Sequence, residues 1–121
     1  MAEFPKRGID ISEFNGNVDI AALKGQVEFV IIRCGYGGDY PNQDDSQFEA
    51  NVKKCQEAGI PWGTYLYSYA KTQAMAQSEA AHTLRLLNGR RPPYGVWLDV
   101  EDSSLPSGEA LIDNVAAYCQ A

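Results

Sequence analysis

The stretch Tyr94-Gly-Val-Trp-Leu-Asp-Val-Glu-Asp102 decides how this chain is read. Gly95 to Val100 is an apolar run of strand length with no helical period. It predicts a strand covered on both faces, as in a parallel sheet. Successive side chains on a strand point to opposite faces, so Trp97, Asp99 and Glu101 share one face and Leu98 and Val100 the other. Two carboxylates at the C-terminal end of a buried strand repel each other and are costly to desolvate. That combination raises the proton affinity of one of them, as a general acid requires. A strand end running into a solvated acidic turn is the competing reading.

Working outward, the rest of the chain repeats the strand pattern. Arg7 to Ser12 reads as a short strand with Ile9 and Ile11 on one face and Gly8, Asp10 and Ser12 on the other. Asn15-Gly16 marks a turn, and Asp19 caps a short helix through Lys24 that Gly25 ends. Glu28 to Cys34 is a second strand, ended by Arg33, and Gly35 to Asp39 a loop. Gln47 to Ala58 places Phe48, Val52 and Cys55 at helical spacing, with Gly59 as the stop. Ile60 to Tyr69 is a third strand, on which Gly63, Tyr65, Tyr67 and Tyr69 share a parity opposite to Trp62, Thr64, Leu66 and Ser68. A helix over about Thr72 to Asn88 offers Ala76, Ala80, Thr83, Leu84 and Leu87 as its inner face. His82 lies within it, away from the strand ends. Ser107 caps a last helix. The order β-α-β-α-β-α-β-α implies right-handed crossovers and a parallel sheet, either an open doubly wound sheet or part of a (β/α) barrel. In both, chemistry sits at the carboxyl ends of the strands, where the polar residues of all four strands fall.

Composition narrows the function. The chain has 121 residues, suited to one small domain, with 45% hydrophobic and 21% charged residues. The net charge of −6 argues against a nucleic-acid partner, which needs clustered Lys and Arg, and Arg90-Arg91 beside two prolines reads as a solvated loop. No run reaches membrane-spanning length, so no membrane partner is expected. Met1 to Arg7 has no apolar core of a secretory signal, so synthesis in the cytoplasm is expected, with the site of action reached by lysis or another route. Cys34, Cys55 and Cys119 form neither a metal spacing nor a disulfide framework, and free, mostly buried thiols are expected. The glycines of Gly35-Tyr-Gly-Gly-Asp39 fit neither phosphate-loop fingerprint, which weighs against a flavodoxin-like nucleotide module. Three alternating tyrosines beside carboxylates suit a carbohydrate, whose C–H faces pack on rings while its hydroxyls find polar partners. Filling of a core is the competing role for those rings.

Four segments then converge on one family. Gly8-Ile-Asp-Ile-Ser12, Phe29-Val-Ile-Ile-Arg-Cys-Gly-Tyr-Gly37, Gly59-Ile-Pro-Trp-Gly-Thr-Tyr-Leu-Tyr-Ser-Tyr-Ala70 and Val96-Trp-Leu-Asp-Val-Glu-Asp102 resemble glycoside hydrolase family 25, the lysozymes (N-acetylmuramidases) of bacteria, phages and fungi. The resemblance runs in order from about Arg7 onward. It implies hydrolysis of the β-1,4 bond between N-acetylmuramic acid and N-acetylglucosamine in peptidoglycan, without a metal or other cofactor. It makes Asp10, Asp99 and Glu101 the active-site carboxylates, with Glu101 the acid/base, and Tyr67 the active-site tyrosine. Tyr36, Arg33, Tyr65, Trp97 and Asp102 are the further candidates for substrate contact. Asp99 and Glu101 rise from one strand about 6–7 Å apart at Cα, an awkward placement for carboxylates on opposite sides of a scissile bond. It fits better a route in which Glu101 protonates the leaving oxygen while Asp99 assists the substrate's own acetamido group; direct attack by Asp99 stays open. A closed barrel needs about eight strands. Four βα units therefore correspond to an incomplete half-barrel, the N-terminal part of a lysozyme domain. The other reading is a catalytically incomplete half-barrel that binds glycan or self-assembles. Either a second copy or a C-terminal half is the expected partner.

Overall fold

The computed structural model describes residues 7–120. The expectation that Met1 to Lys6 lack a secretory core lies outside the described residues. Four parallel strands, β1 (Gly8–Ile11), β2 (Phe29–Tyr36), β3 (Trp62–Tyr67) and β4 (Val96–Asp99), form one sheet in the order β1-β2-β3-β4. Helices α1 (Phe48–Ala58), α2 (Gln73–Leu87) and α3 (Glu109–Gln120) flank it. The result is an open, barrel-like half rather than a doubly wound sheet, because each strand is added beside its predecessor and the order never reverses.

The period of two makes the sheet two-faced. Ile11, Val30, Ile32, Cys34, Trp62 and Leu66 are buried with Phe48, Val52, Ala76 and Ala80 of the helices. The opposite parity, from Asp10 through Ile31, Arg33, Tyr65 and Tyr67 to Asp99, faces an open groove. Within the core Thr64 donates its hydroxyl hydrogen to Ile32 O at 2.7 Å, and Thr83 and Tyr118 join α2 to α3 at 2.9 Å.

Several local expectations change. The β1–β2 connection holds two 3-10 turns, Glu13–Asn15 and Ile20–Leu23, in place of a helix, although Asp19 caps the second through Ala22 N–H at 3.3 Å. β2 continues past Cys34 through an irregularity to Tyr36, so Arg33 lies within the strand and Gly35 and Tyr36 are not loop. Gly35 is needed there because a Cβ would meet Gln43 O at 2.5 Å and His82 Cε1 at 2.9 Å. β4 is not covered on both faces: Val96, Trp97 and Val100 are 43%, 57% and 36% exposed. It is an edge of the described sheet, and its apolar run is sized for neighbours on both sides. On α2, Leu84 is exposed, while Glu79 and His82 take buried positions because polar loop groups reach them. His82 is not away from the strand ends: its ring is 0% exposed and meets Gly37 O at 2.9 Å, one residue past β2. α3 starts at Glu109 with Ile112 N–H bonded to Gly108 O, which moves the cap position off Ser107. Cys34 and Cys55 are buried free thiols, whereas Cys119 is exposed.

Candidate active site

Register builds the site in rows. Tyr36 pairs with Tyr67, and Tyr67 with Asp99; one step below, Arg33 pairs with Tyr65, and Tyr65 with Trp97. Asp10 lies beside Ile31 on the first edge. The ladders extend past the strands through Gly37 N–H to Tyr67 O at 3.0 Å and Ser68 N–H to Asp99 O at 2.9 Å, which fixes the ends that carry the polar groups. The groove holds about 1180 Å³ and brings together Asp10, Asp99 and Glu101 with Arg33, Tyr36, Tyr65, Tyr67 and Trp97. Asp102 is the exception: it does not line the groove but faces the third-strand tyrosine, accepting from the Tyr67 hydroxyl at 3.2 Å and from Ser104 N–H at 3.0 Å.

The electrostatics centre on one pair. Burial lifts Asp99 above its ordinary value, the charge of Glu101 and a hydrogen bond shared with it lift it further, and Asp10 adds to the effect. Glu101 itself is exposed at the groove mouth. The Tyr67 phenol is pushed up to about 12, first by loss of water around it and then by its bond to Asp102. Tyr65 is also pushed up to about 12, by burial and then by the charge of Asp10. Both phenols therefore stay protonated donors across the range in which carboxylates titrate. Asp102 is held below the usual carboxylate range, chiefly by the Ser104 hydroxyl.

Arg33 is occupied. Its Nη2 lies 3.5 Å from Glu13 and its Nε 3.5 Å from the buried Asp45, while its guanidinium sits over Phe14 at 4.9 Å and Tyr36 at 5.4 Å. Burial raises Asp45 above its ordinary value despite the two backbone N–H groups it accepts, from Glu13 and Gln47.

The groove also contains Tyr69, which shares the strand parity of Tyr65 and Tyr67, and Phe29, Tyr94, Ser12, Glu13 and Phe14, which were not among the expected site residues. Tyr69 packs against Tyr67 with centroids 5.0 Å apart and meets Tyr36 edge-on at 6.0 Å. Phe29 stacks on Tyr94 at 4.7 Å and 14°. The parity of Phe29 with Ile31 and Arg33 was a usable signal. Ser12 shares the parity of Asp10 at the end of the first strand, whereas Glu13 and Phe14 had no such signal, because they belong to a short 3-10 turn. Among the described residues no group of three or more His, Cys, Asp or Glu is arranged to hold a metal ion, and no helix is long and apolar enough to cross a membrane.

The carboxyl ends of this parallel sheet gather three acids and a row of tyrosines in one groove. Glycosyl hydrolases family 25 matches residues 9–121, and the chain belongs to that family. It is similar to the modular autolysin LytC from Streptococcus pneumoniae, solved in complex with a synthetic peptidoglycan ligand, at 29% identity and a TM-score of 0.84, covering 95% of this chain and 29% of that one. The CTP1L endolysin is 27% identical with a TM-score of 0.77, over 96% of this chain and 42% of that one. The muramidase from Trichobolus zukalii, at 22% identity and a TM-score of 0.76 over 96% of this chain and 58% of that one, shares the fold. The chain thus spans from under a third to somewhat over half of these relatives' length. No curated protein shows a significant sequence match.

Proposed function

We propose that this groove is the catalytic half of an N-acetylmuramidase site, cleaving the β-1,4 bond between N-acetylmuramic acid and N-acetylglucosamine. The observation that carries the reading is the gathering of Asp10, Asp99 and Glu101 with Tyr65 and Tyr67 along one groove, in which the charge of Glu101 helps raise the carboxyl of Asp99. The pair keeps a proton at a pH where a lone aspartate has lost it. Asp99 passes that proton to the neighbouring Glu101, which is exposed on the groove lining and protonates the leaving glycosidic oxygen. Asp99, left negative, orients the substrate's acetamido group and stabilises the positive charge that develops as this group attacks the anomeric carbon. Tyr67 stands beside Asp99 on the adjacent strand and contributes a protonated phenol to the same groove. Asp10 adds negative charge across the sheet. Family membership and the likeness to LytC, solved with a peptidoglycan ligand, support the choice of substrate.

Reducing-end analysis of digested peptidoglycan tests the assignment, with the four-unit sheet supplied in the protein that carries it. New N-acetylmuramic acid ends are expected. New N-acetylglucosamine ends would mean that the other glycosidic bond is cut.

A further inference from the structure

Phe14 is 81% exposed, the highest value among the large apolar side chains of the described residues. Its exposure is not slack. The 3-10 turn Glu13–Asn15 that carries it is closed by a reciprocal cap, with Ser12 accepting from Phe14 N–H at 3.2 Å and Asn15 accepting from Ser12 N–H at 2.9 Å. The buried Asp45 accepts Glu13 N–H at 2.9 Å, and Ser46 donates to the Glu13 carboxylate at 2.7 Å. Under the ring lies the Arg33 guanidinium at 4.9 Å, with Tyr36 also 5.4 Å from that guanidinium. An aromatic ring held this firmly in water, on the lining of the same groove as Asp10, presents a flat apolar surface to whatever the groove takes up.

We infer that Phe14 is the platform of a glycan subsite on the β1 side of the carboxylates, stacking the C–H face of an uncharged N-acetylhexosamine, N-acetylglucosamine rather than muramic acid. The inference rests on the muramidase reading and deepens it. The charge of the sugar follows from the neighbours. Arg33 is the single cation among the described groove residues, and it is already held by Glu13 and Asp45. Glu13 and Asp10 line the same groove, so the lactyl carboxylate of a muramic acid meets like charge there, and the one guanidinium it could approach already faces two carboxylates.

The test is titration calorimetry in the full protein with the neutral tetramer of N-acetylglucosamine and with a carboxymethylated tetramer, alongside thermal melting. Phe14→Ala is expected to weaken binding of the neutral tetramer about tenfold with an unchanged melting temperature, and Phe14→Trp to restore it. The carboxymethylated tetramer is expected to bind more weakly than the neutral one. Undiminished binding by Phe14→Ala overturns the subsite, as does a lowered melting temperature with binding intact, which would mean that another part of the protein covers the ring. Equal or tighter binding of the carboxymethylated tetramer overturns the choice of an uncharged sugar. A wild type that binds neither tetramer, or that binds without a Phe14 effect, removes the subsite, while the muramidase reading stands or falls separately with the reducing-end analysis.

Discussion

The Tyr67 hydroxyl donates to Asp102 Oδ1 at 3.2 Å, so the carboxylate three residues past Asp99 orients the tyrosine next to Asp99 on the neighbouring strand. Asp102 is fixed in turn by Ser104, through its hydroxyl and its backbone N–H. If the phenol contributes to the reaction, Tyr67→Phe lowers kcat on cell walls by about tenfold, in line with a lost hydrogen bond to a charged or developing centre. Asp102→Asn keeps an acceptor for the phenol and is expected to cost less than Asp102→Ala. Equal losses in the two Asp102 variants would argue against an orienting role.

The acidic pair is expected to cost stability. Asp99 has its folded value raised above the ordinary 3.8, so between those two values the folded chain binds more protons than the unfolded one. Stability therefore falls as pH rises through that window and stays lower above it. Asp99→Asn removes the penalty. Urea denaturation is expected to show the variant more stable than wild type at neutral pH, with the gap closing below pH 3.8. A gap that widens on acidification would reverse the sign of the argument.

Glu79 supports the aromatic wall from below. Its buried carboxylate accepts the Ser68 hydroxyl at 2.7 Å and Tyr69 N–H at 2.8 Å, which ties the end of the third strand to α2. Glu79→Ala leaves both donors unpaired and is expected to cost roughly 3 kcal/mol in chemical denaturation. Glu79→Gln keeps one oxygen to accept Tyr69 N–H, and its amide N–H can donate to the Ser68 hydroxyl oxygen in place of the lost bond, so it is expected to retain most of that stability. A Gln variant as unstable as the Ala variant would mean that the charge, not the bonding, holds the turn.

His82 bridges α2 and the loop that follows β2. Its ring nitrogens meet Gly37 O at 2.9 Å and Asp44 Oδ1 at 2.7 Å, and Arg85 binds both Asp44 oxygens. Truncation to alanine is expected to lower stability by about 2–4 kcal/mol through a cavity and the loss of a partner for the Gly37 carbonyl, Asp44 keeping Arg85. The ring does not line the groove, so the pH profile of wall hydrolysis is expected to stay as in wild type. A profile that shifts with His82→Ala would bring the residue into the reaction.

The strands were legible because their two faces differ. Ile9 and Ile11 against Asp10, or Leu66 against Tyr65 and Tyr67, state the parity outright, and parity with strand order brings Asp10, Tyr67 and Asp99 to one groove. What stayed hidden depends on partners distant in sequence. Glu79 and His82 look like the wet side of an amphipathic helix until Ser68, Tyr69, Gly37 and Asp44 reach them. Glu13 and Phe14 sit on a turn too short for any period, and Asp45, which anchors that turn, is 32 residues from Glu13. The exposure of β4 could be read only from the strand count and not from its own residues: Val96 to Val100 is composed for burial, and a sheet of four strands leaves it open at the edge.

The role of Glu101 is tested most directly by leaving-group dependence. Wild type and Glu101→Gln are compared on peptidoglycan and on an aryl N-acetylglycoside whose phenolate leaves without protonation. If Glu101 is the acid, the variant loses roughly 10²–10⁴-fold on peptidoglycan and far less on the aryl glycoside. Equal losses on both substrates, or full activity on peptidoglycan, would contradict it.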